Sequence, residues 1–342
     1  MGYPRVVVVG ATGAVGQVAL QVLEQRNFSM ESLRVCASSR SWGKRISFRG
    51  QELVVEEATE ALFAQCDLAF ISVSGAVSRQ LAPLAVRQGC LVIDDSSTFR
   101  MEPQVPLVVP EINAGDVEHH RGILAIPNCS TTQMVMALYP LHRANPIKRV
   151  IVDTYQSVSG TGREAMKELN EQARQLLVGL PAQAQQYPHQ IAFNVFPHIE
   201  PFMDNGYTKE EWKMVEETRK IMHAPQIAVS ATCVRVPVPI SHSEAVHVEF
   251  QHPMAPQEAR DLLAAFPGVV VVDDPQRNAY PMPVSAAGRD EVFVGRIRQD
   301  ASHPNGLAMW VVSDNLRKGA ATNAVQIAEE VVRRGAFLPQ QV

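Results

Sequence analysis

Short apolar runs alternate with helix-period stretches over the first 127 residues of the chain. Arg5–Gly10, Leu33–Ser38, Asp67–Val73 and Leu91–Asp94 read as strands, and Ala14–Gln25 and Val77–Arg87 as helices. The unbroken Val, Ile and Leu character of these strands predicts a sheet covered on both faces, as parallel sheets are. Strand and helix in alternation, joined by right-handed crossovers, predict a doubly wound α/β domain. Beyond residue 129 the texture changes. Arg149–Gln156, Ile227–Val236, Ala245–Phe250, Val269–Val272, Glu291–Ile297 and Leu307–Asp314 read as strands, several with period two. That predicts a mostly antiparallel sheet with one face under helices, and so an α+β second domain. Its expected helices are Glu164–Leu177, Lys209–Met222 and Gln257–Phe266, and an amphipathic helix over about 316–334 closes the chain. Thr208 and Glu211 form a capping box at the start of the second. The Gln-, Ala- and Pro-rich stretch Gly179–Pro188 reads as a mobile surface loop.

Length and composition suit two cores: 342 residues, 46% of them apolar. The net charge of −4 comes with no basic block, so nucleic acid and anionic membranes are poor partners. No signal peptide is evident, and no apolar run approaches the roughly 20 residues of a membrane span. Five scattered cysteines, an odd number without a CxxC pair, point to reduced thiols in a cytoplasm, with no disulfide framework and no metal site. His119 and His120 read as a solvated polar loop.

Chemistry enters at Cys129, in the run Ile-Pro-Asn-Cys-Ser-Thr-Thr. Gly122–Ile126 reads as a strand end and Pro127 stops it. Ser130 and Thr131 are cap-type residues, and a helical pattern follows in Met134, Ala137, Leu138 and Leu141. A thiol at a helix N-terminus faces unpaired N–H groups and the positive end of the dipole. Both favour the thiolate, the form that attacks carbonyl carbon.

The first strand runs into Gly10-Ala-Thr12-Gly13-Ala14-Val15-Gly16, a glycine turn opening the first helix. Such a turn brings backbone N–H groups and a helix start up to a pyrophosphate. The spacing is GxxGxxG rather than GxGxxG. About 20 residues on, an NAD enzyme would place an acid against the ribose. Here stand Ser38, Ser39 and Arg40, which suit a 2′-phosphate and hence NADP.

Gln156, at a strand end before the small residues Ser159 and Gly160, can orient a carbonyl or an amide. Arg235 lies mid-strand between apolar neighbours; its fork suits a carboxylate or a structural ion pair. His242 sits in a polar turn before a strand, with the ordinary imidazole pKa near 6.5 for proton transfer. Glu210 and Lys213 share a helix face and suit a zwitterion, a phosphate or plain solvent. Arg100 follows a parallel strand at its carboxyl end, where ligands of such sheets bind.

Taken in order, the glycine turn, Ser-Ser-Thr-Phe-Arg100, Pro-Asn-Cys129-Ser-Thr, Tyr-Gln156-Ser-Val-Ser-Gly, Glu210-Glu-Trp-Lys213, Cys-Val-Arg235-Val-Pro and Ser-His242-Ser-Glu resemble the bacterial aspartate-β-semialdehyde dehydrogenases over nearly the whole chain. The resemblance implies a Rossmann-type NADP-binding domain over 1–128, a catalytic and dimerisation domain over 129–315, and a C-terminal helix over 316–342 that returns to the first domain. It implies NADPH-dependent reductive dephosphorylation of L-aspartyl-4-phosphate to L-aspartate 4-semialdehyde, reversible with phosphate, on the route to lysine, methionine and threonine. It implies Cys129 as nucleophile, His242 as acid/base and Gln156 positioning the intermediate. Arg235 would bind the substrate carboxylate and Glu210 its amino group, with Arg100, Asn128 and Lys213 on phosphate. Gly10, Thr12, Gly13, Ala14, Val15, Gly16, Ser38, Ser39, Arg40, Ser159, Gly160 and Asn315 would hold the cofactor, and the enzyme would be a homodimer. Two rivals remain: another acyl-phosphate reductase, such as N-acetylglutamyl-phosphate reductase, and a non-catalytic dinucleotide-binding sensor.

Overall fold

The computed structural model describes residues 2–337. Contacts divide the chain into two compact units, Met1–Pro127 with Ala320–Val342, and Asn128–Gly319. The end of the expected C-terminal segment, 338–342, lies outside the described residues.

The first unit contains β1 (Arg5–Val9), α1 (Ala14–Gln25), β2 (Ser32–Cys36), β3 (Arg45–Phe48), β4 (Gln51–Glu56), α2 (Glu60–Phe63), β5 (Leu68–Ile71), α3 (Gly75–Arg87), β6 (Leu91–Asp94), α4 (Pro110–Asn113) and β7 (Ile123–Ala125). The sheet order is β3-β4-β2-β1-β5-β6-β7. All pairs are parallel except β3 with β4. The apolar runs are buried as expected: Val6, Val8, Leu68, Phe70, Leu91 and Ile93 face one core, and Val7, Val9, Ala69, Ile71 and Val92 the other. The β3–β4 hairpin is absent from the sequence expectation. It turns on Arg49 and Gly50, both at positive φ, as two-residue hairpin turns require.

The second unit opens with α5 (Cys129–Ala144) and β8 (Ile147–Gln156). It continues through α6 (Arg163–Leu177), α7 (Lys209–Ile221), β9 (Ala228–Arg235), β10 (His242–Phe250), α8 (Pro256–Ala264), β11 (Val269–Val271), α9 (Pro283–Ala286), β12 (Val292–Gln299) and β13 (Gly306–Ser313). The sheet order is β11-β12-β13-β10-β8-β9. The three pairs at its centre are antiparallel; β8 with β9 and β11 with β12 are parallel. The apolar face of α5, including Met134, Val135, Leu138 and Leu141, is wholly buried. The loop after α6 is held by that helix: Gln185 and Gln186 donate backbone N–H bonds to Glu168, and Gln172 donates to the Gln183 carbonyl.

The closing helix is not α-helical throughout. Arg317–Ala321 forms a π-turn, with Gly319 N–H donating to the Asp314 carbonyl five residues back, and α10 (Thr322–Arg334) follows. Ala324, Val325, Ile327, Ala328 and Val331 of α10 are buried in the first unit, in the same core as β1 and α1. His119 is exposed as expected, whereas His120 is half-buried. Its Nδ1 accepts from Gly122 N–H, and its Nε2 lies 2.8 Å from the Ala336 carbonyl just after α10. No described helix is long and apolar enough to cross a membrane.

Candidate active site

The second unit gathers Cys129, Asn128, Gln156, Glu210, Lys213, Arg235, His242, Ser159, Gly160 and Asn315. Cys129 is the first residue of α5. Its cap is Asn128 rather than Ser130 or Thr131: the Asn128 Oδ1 accepts from the Ser130 N–H (3.0 Å) and the Thr131 N–H (3.3 Å). The Ser130 and Thr131 hydroxyls are buried and find no hydrogen-bond partner among the described residues. Other cap-type residues follow directly after Cys129, and what selects Asn128 lies far along the chain. Its Nδ2 donates to Glu210 Oε1 (2.9 Å), and its N–H to Glu217 Oε2 (2.6 Å). Glu210 and Glu217 are two turns apart on α7. That spacing of acids on one helix face was the signal available for Glu217, which the sequence reading passed over.

Glu210 is a hub. Its Oε1 also accepts from Gln156 Nε2 (2.9 Å), and its Oε2 from Lys213 Nζ (3.1 Å). Lys213 in turn meets Glu200 (2.5 Å). Burial alone would raise the Glu210 pKa. The Lys213 charge and the two amide donors outweigh it and bring the carboxyl down to about 2. The Gln156 Oε1 accepts from Thr154 Oγ1 (3.0 Å), so both ends of that amide are anchored.

Arg235 closes β9 beside Gln156 at the end of β8, so it is terminal rather than mid-strand. Its Nη1 donates to the Ser157 carbonyl (2.5 Å), and its guanidinium lies over the Tyr187 ring. It is 4% exposed, and among the described residues no carboxylate pairs with it. A structural ion pair is therefore not its role.

His242 is the first residue of β10, fully buried with Ser243 and Glu244, and does not lie in a polar turn. Its Nδ1 accepts from the Ser157 N–H (3.0 Å). A backbone N–H can only donate, so the neutral ring carries its proton on Nε2, which is buried and has no hydrogen-bond partner among the described residues. Burial, then the nearby Arg235 charge, pushes the pKa down to about 3, with Glu210 offsetting part. The ordinary value near 6.5 is lost because the residue is in the core. A Cβ built on Gly160 would come 3.3 Å from Arg235 Nη1 and 3.4 Å from His242 Nε2, so both groups look onto that glycine. Asn315 Oδ1 accepts from Ser157 Oγ (3.2 Å), Ser159 Oγ (3.0 Å) and the Ser241 N–H (3.0 Å), bracing the loops behind His242. Gly319 backs Cys129: a Cβ there would lie 2.8 Å from the Cys129 Cβ.

The first unit carries the glycine turn. Gly10 has φ +90°, and a Cβ on it would strike the Ser72 carbonyl at 2.1 Å; a Cβ on Gly16 would strike the Gly10 carbonyl at 2.2 Å. Gly13 is the N-cap of α1 and supplies no side-chain cap bond, which leaves the helix start open to an anion. These residues fit a dinucleotide pyrophosphate. Ser38, Ser39 and Arg40 are exposed after β2. Arg100, also in this unit, is buried and donates to the Asp95 carbonyl (2.9 Å). Asp94 beneath that loop accepts from Ser78 and from Ser96 (2.7 Å); burial raises its pKa to about 6.

A parallel sheet with an open glycine turn, and a second unit presenting a helix-start cysteine, define a dinucleotide-dependent oxidoreductase. The chain belongs to the semialdehyde dehydrogenase family. Residues 5–120 match that family's NAD binding domain and residues 138–318 its dimerisation domain. It is 54% identical over 340 residues to the aspartate-semialdehyde dehydrogenase of Aquifex aeolicus, covering 98% of this chain and 99% of that one. Aspartate semialdehyde dehydrogenase II from Vibrio cholerae, solved in complex with ASA, superposes with a TM-score of 0.94 at 47% identity, over 97% of this chain and 99% of that one. The Candida albicans enzyme, solved with NADP, gives 0.78 at 26% identity, over 98% and 100%.

Proposed function

We propose that this chain catalyses NADPH-dependent reductive dephosphorylation of L-aspartyl-4-phosphate to L-aspartate 4-semialdehyde, reversibly with phosphate. It would work as a cytoplasmic homodimer, on the route through diaminopimelate to lysine and on to methionine, threonine and isoleucine. The observation that carries the reading is a pair of groups beside Gly160: among the described residues, an arginine that meets no carboxylate and an imidazole Nε2–H that meets no acceptor. A substrate with a carboxylate and a carbonyl that becomes an oxyanion supplies both.

In the mechanism, Cys129 thiolate attacks the acyl-phosphate carbon, the bond to the phosphate oxygen breaks, and a thioester is left on Sγ. Asn128, Lys213 and Arg100 are assigned to the phosphate. The reduced dinucleotide, when bound by residues 10–16 with Ser159, Gly160 and Asn315, supplies the hydride. The resulting thiohemiacetal oxyanion accepts a hydrogen bond from His242 Nε2–H, and its collapse returns the aldehyde and the Cys129 thiolate without a net proton. His242 therefore serves as a fixed donor, and the helix start maintains the thiolate. Arg235 takes the substrate carboxylate in its fork and Glu210 the ammonium. Ser38, Ser39 and Arg40, with no acid among them, support NADP over NAD.

The test is NADPH formation at 340 nm from phosphate and aspartate semialdehyde, run beside N-acetylglutamate semialdehyde. Turnover of the first substrate alone is expected. Turnover of the second alone would make the chain the other reductase, and turnover of neither would make it a sensor.

A further inference from the structure

We propose that Glu210 is a positioning residue for the nucleophile, in addition to its place on the substrate ammonium, a role that rests on the function proposed above. A carboxylate offers about four acceptor sites. Three are taken inside the protein: Oε1 holds Asn128 Nδ2 and Gln156 Nε2, both at 2.9 Å, and Oε2 holds Lys213 Nζ at 3.1 Å. One site on Oε2 remains for a substrate donor.

The internal bonds act on Cys129 through Asn128. An asparagine amide has a donor end and an acceptor end, and as a cap it works only with its oxygen turned toward the helix. Glu210 is acceptor-only when ionised, and Lys213 with the two amides keeps it ionised. It therefore binds the Nδ2 end and forces the Oδ1 end onto the N–H groups of Ser130 and Thr131. Those N–H groups belong to the same first turn as Cys129, so the cap fixes the direction in which the nucleophile enters the site. The same oxygen ties in Gln156, whose neighbour Ser157 carries both the N–H that sets the His242 tautomer and the carbonyl that holds Arg235. One buried oxygen thus couples the cysteine helix to the strand end that organises the oxyanion donor and the carboxylate receptor.

The consequence separates the two roles. Glutamine at 210 keeps an oxygen for Asn128 and Gln156 but loses the charge that meets ammonium; alanine loses both. The readout is iodoacetamide alkylation of Cys129 against pH in the full-length protein, followed by peptide mass, together with steady-state KM for aspartate semialdehyde. Glu210→Gln should alkylate with the wild-type pH profile while its KM rises. Glu210→Ala should alkylate more slowly at neutral pH by about threefold or more, because a loosened first turn holds less thiolate. Asn128→Ala, which leaves Glu210, Lys213 and Gln156 in place, should show the same slowing. Wild-type alkylation of Glu210→Ala would overturn the proposal, and so would equal slowing in the glutamine and alanine variants. Should Glu210→Ala fail to melt cooperatively, Asn128→Ala decides: a wild-type alkylation rate there refutes the cap route. Alkylation needs no substrate. An error in the assigned reaction would show instead as wild-type protein that alkylates as described yet turns over no aspartate semialdehyde.

Discussion

The backbone N–H of Ser157 points at Nδ1 of His242 from 3.0 Å, and that one bond decides which face of the imidazole does chemistry. The ring is a donor through Nε2, and with its pKa down near 3 it stays neutral across the working range.

Turnover should therefore show no inflection from His242 between about pH 5 and 8, where an ordinary histidine titrates. His242→Ala should lower kcat by about 10²–10³, the usual cost of one oxyanion donor, with the KM for NADP little changed. His242→Gln, which can place an N–H near the same position, should recover part of the loss. A bell whose acid limb vanishes in His242→Gln would show that the histidine titrates after all.

Cys129 should be the first of the five thiols to react. Burial pushes Cys36 up to about 12 and raises Cys66, Cys90 and Cys233 as well, and all four are buried. Limited iodoacetamide should label Cys129 and abolish turnover together. Cys129→Ser should lose nearly all activity and keep NADP binding, read by fluorescence titration. Labelling spread evenly over five peptides would contradict this.

Arg40→Ala should narrow the NADP-over-NAD preference in kcat/KM by tenfold or more, since a charge-assisted contact contributes about 1.5–3 kcal/mol. The side chain is exposed, so the thermal melt should not move. Equal kcat/KM for both cofactors in the wild type would remove the basis of the expectation.

Arg235→Lys keeps the charge and loses the planar fork. The KM for aspartate semialdehyde should rise at least tenfold while that for NADP holds. An unchanged substrate KM would place the carboxylate elsewhere.

Glu244 should make stability fall as pH rises. Its carboxyl is fully buried, and burial raises its pKa well above the usual carboxylate range, with only the Gln133 amide acting against it. A carboxyl raised in the folded state contributes fully below its unfolded pKa and loses that contribution as pH climbs toward the folded value. Glu244→Gln, a neutral isostere, should therefore gain in Tm relative to wild type between about pH 5 and pH 8. A constant Tm difference across that range would mean Glu244 does not titrate there.

What the sequence disclosed, and what it withheld, follows the range of the forces involved. β1, β5 and β6 were legible because burial on both faces requires Val, Ile and Leu throughout. The capping box at Thr208 was legible because both of its bonds span three residues. The β3–β4 hairpin was hidden by its edge position, which allows Arg45 and Glu52 into the strands; only Gly50 marked it. The sequence offered Ser130 and Thr131 as caps and missed Asn128, because what orients the Asn128 amide is Glu210, 82 residues away. The His242 pKa was misread because burial of a polar run is decided by neighbouring strands, and nothing in Ser-His-Ser-Glu announces it.

Asn315, which braces the loops behind His242, and Gly319, which rests against Cys129, lie almost 190 positions after the cysteine. Synthesis proceeds from the N-terminus, so α5 and its thiol exist long before the brace behind His242 or the glycine against which Cys129 rests. A chain interrupted between Cys129 and Asn315 has the nucleophile and the dinucleotide turn without the surface that shapes their reaction. Competence waits for the last part of the second unit and for α10, which completes the core of the first, and partial products of translation carry an unfinished site.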